Sequence, residues 1–560
     1  MSVSISDARR PLARIRDLSI GFRQRGVTVP AVEHVSFDVW PGRVHALVGE
    51  SGSGKSVSAR ALVGLNGRLA RTEAKELTYR GKDVRRFGAY EWRAVRGRQI
   101  GLVLQDALQS LDPLRTVGRE IAEALGTPRL RLDDELLARI ADLLTSVGIP
   151  DAASRIDQYS YQLSGGLRQR VLIAAAIARN PRLIIADEPT TALDTTIQKE
   201  IITLLRSAVQ DDVGLLLISH DLSLVAEIAD TVSVLERGSV VEEGDTTDVL
   251  TRPAHPYTRK LLRAVPSAQA RGRRLSVPTA AVAESVTAEA PPARRIGEVV
   301  LSGHALRKTF VHDGHARVAL DGVSFTLRDG ETLGVVGESG SGKTTLLRTI
   351  LGLSTPDAGE VRLGETLWNP SPERDRRPRR SDLQLVSQDP LGSFDPRYSA
   401  ERLILDGARV SGLRGDGARR RATELADAVG LTAQQVRRNP RELSGGQRQR
   451  VAIARALAAQ PRILVCDEPV SALDVSVQAQ VLDLLHDLRQ AFGTSIVFVS
   501  HDLGVIYHVS DRVLVLKDGI VVETGDVVEV YRDPQHPYTQ RLLDAVPKLA
   551  TASARAHGPG

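Results

Sequence analysis

The sequence predicts an α/β protein built twice: two homologous domains, each a mainly parallel sheet flanked by helices, joined by a flexible linker. Three observations predict it. Short strings recur in the same order at near-constant spacing, short apolar runs alternate with helix-like stretches in both copies, and an aperiodic stretch separates the copies. Gly-Glu-Ser-Gly-Ser-Gly-Lys begins at Gly49 and at Gly337, 288 residues apart. Leu-Ser-Gly-Gly recurs at Leu163 and Leu443, Asp-Glu-Pro at Asp187 and Asp467, Ser-His-Asp at Ser219 and Ser500, and His-Pro-Tyr-Thr at His255 and His536, with spacings of 280 or 281. A unit of roughly 260 residues is duplicated whole, too long a period for a solenoid.

Over 560 residues, 74 Lys+Arg against 68 Asp+Glu leave a formal charge of +6, with 42% hydrophobic and 25% charged residues, so a folded, water-soluble chain of several domains is expected. A surplus of +6 over this length gives little reason to expect nucleic acid. The one cysteine, Cys466, has no partner for an internal disulfide and cannot alone build a zinc or iron–sulfur site, which suits a reducing cytoplasm. Apolar runs such as 213–218 fall far short of the ~20 residues of a membrane helix, and no apolar segment follows Arg9, Arg10, Arg14 and Arg16. Neither a bilayer span nor a secretory signal is expected.

The first domain is expected over residues 1–267, the linker over 268–296 and the second domain over 297–560. The linker is rich in Ala, Pro, Ser and Thr; about 28 such residues span roughly 30 Å and let the two domains pair within one chain. Within each domain, Val44 to Val48 and Thr332 to Val336 read as strands that end on the glycine loop. Leu183 to Ala186 and Ile463 to Cys466 end on carboxylates, and Leu215 to Ile218 and Ile496 to Val499 end on Ser-His-Asp. Interleaved helices such as Val171 to Arg179 make the sheet mainly parallel, with its ligand at the carboxyl ends of the strands.

The glycine loops carry the chemistry first. Gly49, Ser51, Gly52, Ser53, Gly54, Lys55 and Ser56, and Gly337, Ser339, Gly340, Ser341, Gly342, Lys343 and Thr344, match the phosphate-binding P-loop where a strand passes into a helix. Glycines let backbone N–H groups converge on phosphate oxygens, the lysine reaches the terminal phosphates, and Ser56 or Thr344 offers a hydroxyl to Mg²⁺. Asp187-Glu188 and Asp467-Glu468 end apolar strands, so the aspartate can hold the Mg²⁺ shell while the glutamate orients an attacking water. An isolated Asp-Glu pair is usually a solvated turn; the neighbouring P-loop reverses that reading.

Ser164, Gly165 and Gly166, and Ser444, Gly445 and Gly446, open helices as a second anion-binding N-terminus within Leu-Ser-Gly-Gly-Leu and Leu-Ser-Gly-Gly-Gln. With these strings each half closely resembles the nucleotide-binding domain of ABC (ATP-binding cassette) proteins, and the resemblance covers nearly the whole chain apart from the linker and tails. It implies tandem P-loop NTPase folds with ATP and Mg²⁺ as ligands. Gln105 and Gln388 resemble the Q-loop glutamines that touch Mg²⁺ and the attacking water; Ala192-Leu-Asp194 and Ala472-Leu-Asp474 resemble the D-loops; His220 and His501 resemble the switch histidines at the γ-phosphate. Phe22 and Phe310, each 27 residues before its P-loop glycine, are candidates to stack on adenine. Leu167 stands where the family usually has Gln, yet both signatures keep Ser-Gly-Gly and both sites keep their glutamate, so two competent ATP sites are expected. The resemblance further implies head-to-tail pairing: Lys55, Asp187, Glu188 and His220 with Ser444, Gly445 and Gly446, and Lys343, Asp467, Glu468 and His501 with Ser164, Gly165 and Gly166.

After each Q-loop glutamine comes Asp106-Ala-Leu-Gln-Ser-Leu-Asp-Pro113 or Asp389-Pro-Leu-Gly-Ser-Phe-Asp-Pro396, and each half ends with His-Pro-Tyr-Thr and an amphipathic stretch. Both features resemble the ATPase subunits of oligopeptide, dipeptide and nickel importers. His-Pro-Tyr-Thr itself reads as a helix start, Pro256 or Pro537 fixing the first turn and the tyrosine packing beneath, with no part in the chemistry. The resemblance implies two integral-membrane permease subunits and an extracytoplasmic solute-binding protein as partners, no direct nucleic-acid partner, and a peripheral place on the cytoplasmic face of the plasma (inner) membrane. The alternative is a soluble tandem ABC ATPase acting on ribosomes or nucleic acid; the long charged helical linker or zinc-binding cysteines of such relatives are not present in the sequence.

Overall fold

A computed structural model describes residues 10–24, 26–105, 107–127, 133–191, 193–266, 271–276, 297–312, 315–471 and 473–546. Each half opens on a long hairpin, Ala13–Gln24 with Val27–Val39 and Val299–His312 with His315–Arg328, paired antiparallel. Inward residues of the first hairpin, Ile15, Leu18, Ile20, Val35, Phe37 and Val39, are buried while Ser36 and Asp38 between them stay partly exposed, the alternation of a sheet with one buried face. These hairpins recruit Ala70–Glu73, Glu76–Tyr79 and Lys82–Asp83 in the first half, and Ala358–Leu363 and Thr366–Asn369 in the second, into a separate antiparallel sheet that the sequence reading did not foresee. Register shifts along both hairpins break the strict period of 2 and hide the strands from pattern.

Among the described residues, the first half holds a six-stranded sheet in the order Ser239–Asp245, Thr231–Glu236, Val44–Val48, Gly214–Ser219, Leu183–Asp187, Ile100–Val103. Only the first of those pairs is antiparallel. The second half repeats it as Ile520–Asp526, Arg512–Lys517, Thr332–Val336, Ser495–Val499, Ile463–Asp467, Leu383–Val386. Val44–Val48 and Thr332–Val336 are buried along their whole length, as strands covered on both faces must be. Val44–Val48 and Thr332–Val336 keep their expected bounds, while the other four expected strands grew by a residue at one or both ends, so that Asp187 and Asp467 are the last residues of Leu183–Asp187 and Ile463–Asp467. In each half one core lies between the two sheets, with Phe37, Leu47, Leu62 and Ile185 in the first and Phe325, Val335, Leu347 and Val465 in the second. Each such side chain contributes roughly 1.5–3 kcal/mol on burial.

The chain's contacts divide it after Leu262 into two units. The linker reading needs correction at one place. Residues 271–276, within the stretch expected to be a tether, are docked on the second unit: Arg271 donates to the Ser510 carbonyl at 3.0 Å and lies over the Tyr507 ring, and Leu275 is buried. Asp483, a buried carboxylate on the helix Val475–Phe492, accepts from Leu275 N (3.1 Å), Ser276 N (2.8 Å) and Ser276 Oγ (2.6 Å), while Arg274 pairs with Asp487. The rest of the expected linker, 268–270 and 277–296, lies outside the described residues, as do Asp106, Ala192 and Ala472 of the motifs. Among the described residues no helix is long and apolar enough to cross a membrane.

Candidate active site

Sheet order brings the sequence motifs together. Strands Val44–Val48, Gly214–Ser219, Leu183–Asp187 and Ile100–Val103 are consecutive parallel neighbours, so their carboxyl ends deliver the P-loop, His220, Asp187-Glu188 and Gln105 side by side. The second half places Gly337 to Thr344, His501, Asp467-Glu468 and Gln388 in the same way.

In the P-loop, Gly54 (φ 98°) and Gly342 (φ 106°) are the left-handed N-caps of the helices Lys55–Ala61 and Lys343–Ile350, a conformation that disfavours any side chain. At Gly49 and Gly337 an added Cβ would lie 2.3 Å and 2.2 Å from the carbonyl oxygens of Leu235 and Leu516. Ser53 and Ser341 are buried, and Ser51, Gly52, Ser339 and Gly340 form the exposed rim. Lys55 and Lys343 are buried and curl over the loop: Lys55 Nζ donates to Gly49 O and Glu50 O, both at 2.8 Å, and Lys343 Nζ to Gly337 O at 2.6 Å and Glu338 O at 2.8 Å.

The carboxylates converge on the same place. Ser56 Oγ donates to Asp187 Oδ1 at 2.6 Å, and Arg60 pairs with Asp187 Oδ2 at 3.2 Å. Thr344 is exposed one residue into its helix. Glu188 Oε2 accepts from Gln105 Nε2 at 2.7 Å and from Thr191 Oγ1 at 3.2 Å, with His220 Nδ1 at 3.5 Å. Glu468 Oε2 accepts from Gln388 Nε2 at 3.1 Å and meets His501 Nδ1 at 3.2 Å. Burial pushes both glutamates upward, but the hydrogen bond and charge of the histidine and the charge of the P-loop lysine outweigh it, leaving each below its ordinary value. Asp467 is raised, first by burial and then by the adjacent Glu468 charge. A serine hydroxyl on an aspartate beside a second carboxylate is a hard-oxygen donor set that suits Mg²⁺.

Each signature serine caps its helix. Ser164 Oγ accepts from Leu167 N at 3.4 Å on Gly165–Ile177, and Ser444 Oγ from Gln447 N at 3.3 Å on Gly445–Ala458. In the second half Gln447 Oε1 also accepts from Ser444 N at 3.1 Å, closing a capping box that Leu167 cannot make. Gly166 and Gly446 press on the helix that follows the Asp-Glu motif, where a Cβ would stand 2.9 Å from Ile197 Cγ2 and 2.3 Å from Val477 Cγ1. Gly165 and Gly445 face Leu193 and Leu473 of the D-loop-like strings, and Asp194 and Asp474 occupy the positions just before the helices Thr195–Ser207 and Val475–Phe492.

The two aromatic candidates differ. Phe22 leans on the core of the first half, whereas Phe310 is 45% exposed with Lys308 Nζ 5.7 Å from its ring centre. Phe310 is the cross-strand partner of Arg317, whose guanidinium lies 3.5 Å from Gly340 O of the P-loop.

One group escaped the sequence reading. Tyr257 and Tyr538 of His-Pro-Tyr-Thr do pack beneath their helices, Pro256–Arg263 and Pro537–Asp544, as expected. Their hydroxyls, however, accept from P-loop amides, Tyr257 Oη from Glu50 N at 3.2 Å and Tyr538 Oη from Glu338 N at 3.0 Å. The motif therefore touches the site it was expected to stand apart from. About 200 residues separate the partners, and only the recurrence of the string in both halves could have drawn attention to it.

Residues 32–191 and 320–471 match the family described as ABC transporter, and residues 241–291 and 522–559 match the oligopeptide/dipeptide transporter C-terminal region. Over 98% of both chains the sequence is 41% identical to the peptidoglycan transport ATP-binding protein YejF of Agrobacterium fabrum. It is 40% identical to the oligopeptide transport ATP-binding protein OppD of Mycobacterium tuberculosis, over 96% of this chain and 98% of that one. It is 41% identical to the glutathione import ATP-binding protein GsiA of Shigella flexneri, over 97% of this chain and 90% of that one.

Proposed function

The chain belongs to the ABC transporter family as an ATP-binding ATPase subunit, and from that premise we propose that both halves hydrolyse ATP to drive uptake of di- or oligopeptides or related small solutes. The carrying observation is the duplicated cluster of a P-loop lysine, an aspartate–glutamate pair, a glutamine and a histidine, with the glutamate held by the last two in both halves. Lys55 and Lys343 exchange their carbonyl acceptors for oxygens of the terminal phosphates. Mg²⁺, held by Ser56 or Thr344 with Asp187 or Asp467 and the Q-loop glutamine, would supply charge stabilisation at those oxygens. Glu188 and Glu468, ionised at neutral pH, orient the attacking water and draw its proton as its oxygen bonds to the γ-phosphorus and the bond to ADP breaks. His220 and His501 steady the glutamate and reach toward the departing phosphate.

The sites are completed across the chain: Ser444, Gly445 and Gly446 serve the nucleotide on Lys55, and Ser164, Gly165 and Gly166 serve the one on Lys343. Closure on ATP and reopening after hydrolysis pull on separate membrane subunits, so the protein works peripherally at the cytoplasmic face of the membrane beside two permeases and an extracytoplasmic binding protein. Support comes from the C-terminal region match and from relatives whose names specify oligopeptide, peptidoglycan and glutathione transport. In the Glu188→Gln, Glu468→Gln variant, ATP should still bind while turnover falls by at least about a hundredfold. A gene deletion should abolish uptake of labelled di- or oligopeptides. Full turnover in that variant, or normal uptake in the deletion strain together with co-sedimentation of the protein with ribosomes from the parent strain, would overturn the reading.

A further inference from the structure

The P-loop is gripped from both sides at one residue. Inside, the Glu50 carbonyl accepts from Lys55 Nζ at 2.8 Å, and outside, the Glu50 amide donates to the Tyr257 hydroxyl at 3.2 Å. In the second half Glu338 has the same pair of contacts, to Lys343 Nζ at 2.8 Å and the Tyr538 hydroxyl at 3.0 Å. We infer that Tyr257 and Tyr538 are positioning residues for ATP, setting the P-loop backbone through the Glu50 and Glu338 amides while their lysines move between loop carbonyls and phosphate. This rests on the ATPase reading above and assigns the C-terminal region a part in it.

The tyrosines are themselves held in place. Each ring is buried under a helix whose second residue it is, and its own amide donates to the preceding histidine, Tyr257 N to His255 Nδ1 at 3.2 Å and Tyr538 N to His536 Nδ1 at 3.1 Å. The turn before the helix is anchored to the sheet edge. Glu242 on Ser239–Asp245 accepts from Ala254 N at 2.7 Å and His255 N at 3.1 Å, and Glu523 on Ile520–Asp526 accepts from Gln535 N at 2.8 Å and His536 N at 3.1 Å. A rigid strand thus carries a pinned turn, the turn a buried ring, and the ring a hydroxyl aimed at the loop. A lysine lies over each ring, Lys260 at 6.0 Å and Lys517 at 5.4 Å, the first also 3.5 Å from Glu50 Oε1. The second half draws its lysine from a different element, so what the two halves share is the hydroxyl-to-amide bond.

Phenylalanine keeps the ring and removes the acceptor, so Tyr257→Phe, Tyr538→Phe and the double variant of the full chain test the bond without emptying the core. On the nucleotide-free protein, amide exchange read by mass spectrometry should accelerate about three- to tenfold in peptides spanning 47–54 or 335–342, only in the half that carries the substitution. The double variant should raise the ATP KM about three- to tenfold with kcat within about twofold and the nucleotide-free melting temperature lowered by no more than about 4 °C. Unchanged exchange with unchanged KM, or a kcat loss at constant KM, overturns the inference. Should one variant fail to fold, the other half supplies the same test. If the unsubstituted chain bound no ATP the functional reading would fall, while the exchange result would still decide the tyrosine contact.

Discussion

Glu188 and Glu468 sit at φ 48° and 44°, in the left-handed region that glutamate seldom occupies, with their amides tied to Ile218 O at 2.9 Å and Val499 O at 3.0 Å. The turn costs of order 1–3 kcal/mol and aims each carboxylate at its glutamine and histidine instead of along the strand. A different residue marks the first half alone. His45, on the strand that feeds the P-loop, is buried, stacked on Phe37 at 5.2 Å, and bonded to the hydroxyls of Thr231 at 2.8 Å and Ser233 at 3.1 Å. Burial lowers its pKa from 6.5 to about 4, so the folded chain keeps it neutral where the unfolded chain protonates it. Stability tied to His45 is therefore intact above pH 6.5 and drains as pH falls toward 4, by about 2 kcal/mol at pH 5. Chemical unfolding of the first half should show that loss between pH 7 and pH 5. His45→Leu, which copies Leu333 of the second half, should be less stable at pH 7 because two hydroxyls lose their partner, yet flat between the two pH values in this contribution. An unaltered pH slope in the variant would exclude His45 as its source.

At the scale of elements, the docked segment 271–276 and the helix Val475–Phe492 depend on each other. Asp483 is buried in a helix otherwise lined by Val481, Leu482, Leu484, Leu485 and Leu488, and its carboxylate is occupied by Leu275 and Ser276. In the first half Thr203 occupies the equivalent place, 280 residues earlier. Asp483→Ala removes the acceptor from two amides and a hydroxyl, and should cost the second half about 1–3 kcal/mol in denaturant unfolding while trypsin cuts faster after Arg271, Arg273 and Arg274. Unchanged cleavage would show that the segment does not rely on this carboxylate. Glycine plays the corresponding part at the signatures. In Gly446→Ala the new methyl would meet Val477 Cγ1 at 2.3 Å and should destabilise its helix contact by about 1–3 kcal/mol, measurable by thermal unfolding of the full chain.

For the whole molecule, duplication makes the proposed division of labour testable within one chain. Lys55→Ala with Ser444→Ala strikes one completed site twice, whereas Lys55→Ala with Ser164→Ala strikes both. The first pair should retain an ATPase rate several times that of the second, on the order of half the unsubstituted rate where the sites turn over independently. Equal loss in the two pairs would remove the support for sites completed across the halves. The same logic bears on the single-half differences already named, Leu167 against Gln447 and His45 against Leu333, which make two nearly equal halves chemically distinguishable.

Duplication, the parallel sheets, both P-loops and both Asp-Glu pairs were legible in the sequence because each is local: a few adjacent residues fix a turn, a strand buried on both faces, or a phosphate cradle. The joining of Gln105 to Glu188 and of Gln388 to Glu468 was not read from the sequence, because the strands Ile100–Val103 and Leu383–Val386 that place the glutamines beside the Asp-Glu strands went unrecognised. The antiparallel hairpin sheets were not legible, because their register shifts spoil the period on which strand recognition rests. Nor was the docking of 271–276, whose composition reads as a tether until a buried carboxylate on a helix about 207 residues away supplies its hydrogen bonds. Tyr257 and Tyr538 illustrate the division most clearly. Sequence determined that each would begin a helix and bury its ring, while only tertiary structure, by folding a strand-anchored turn against the P-loop, decided that the hydroxyl would meet the amide of Glu50 or Glu338.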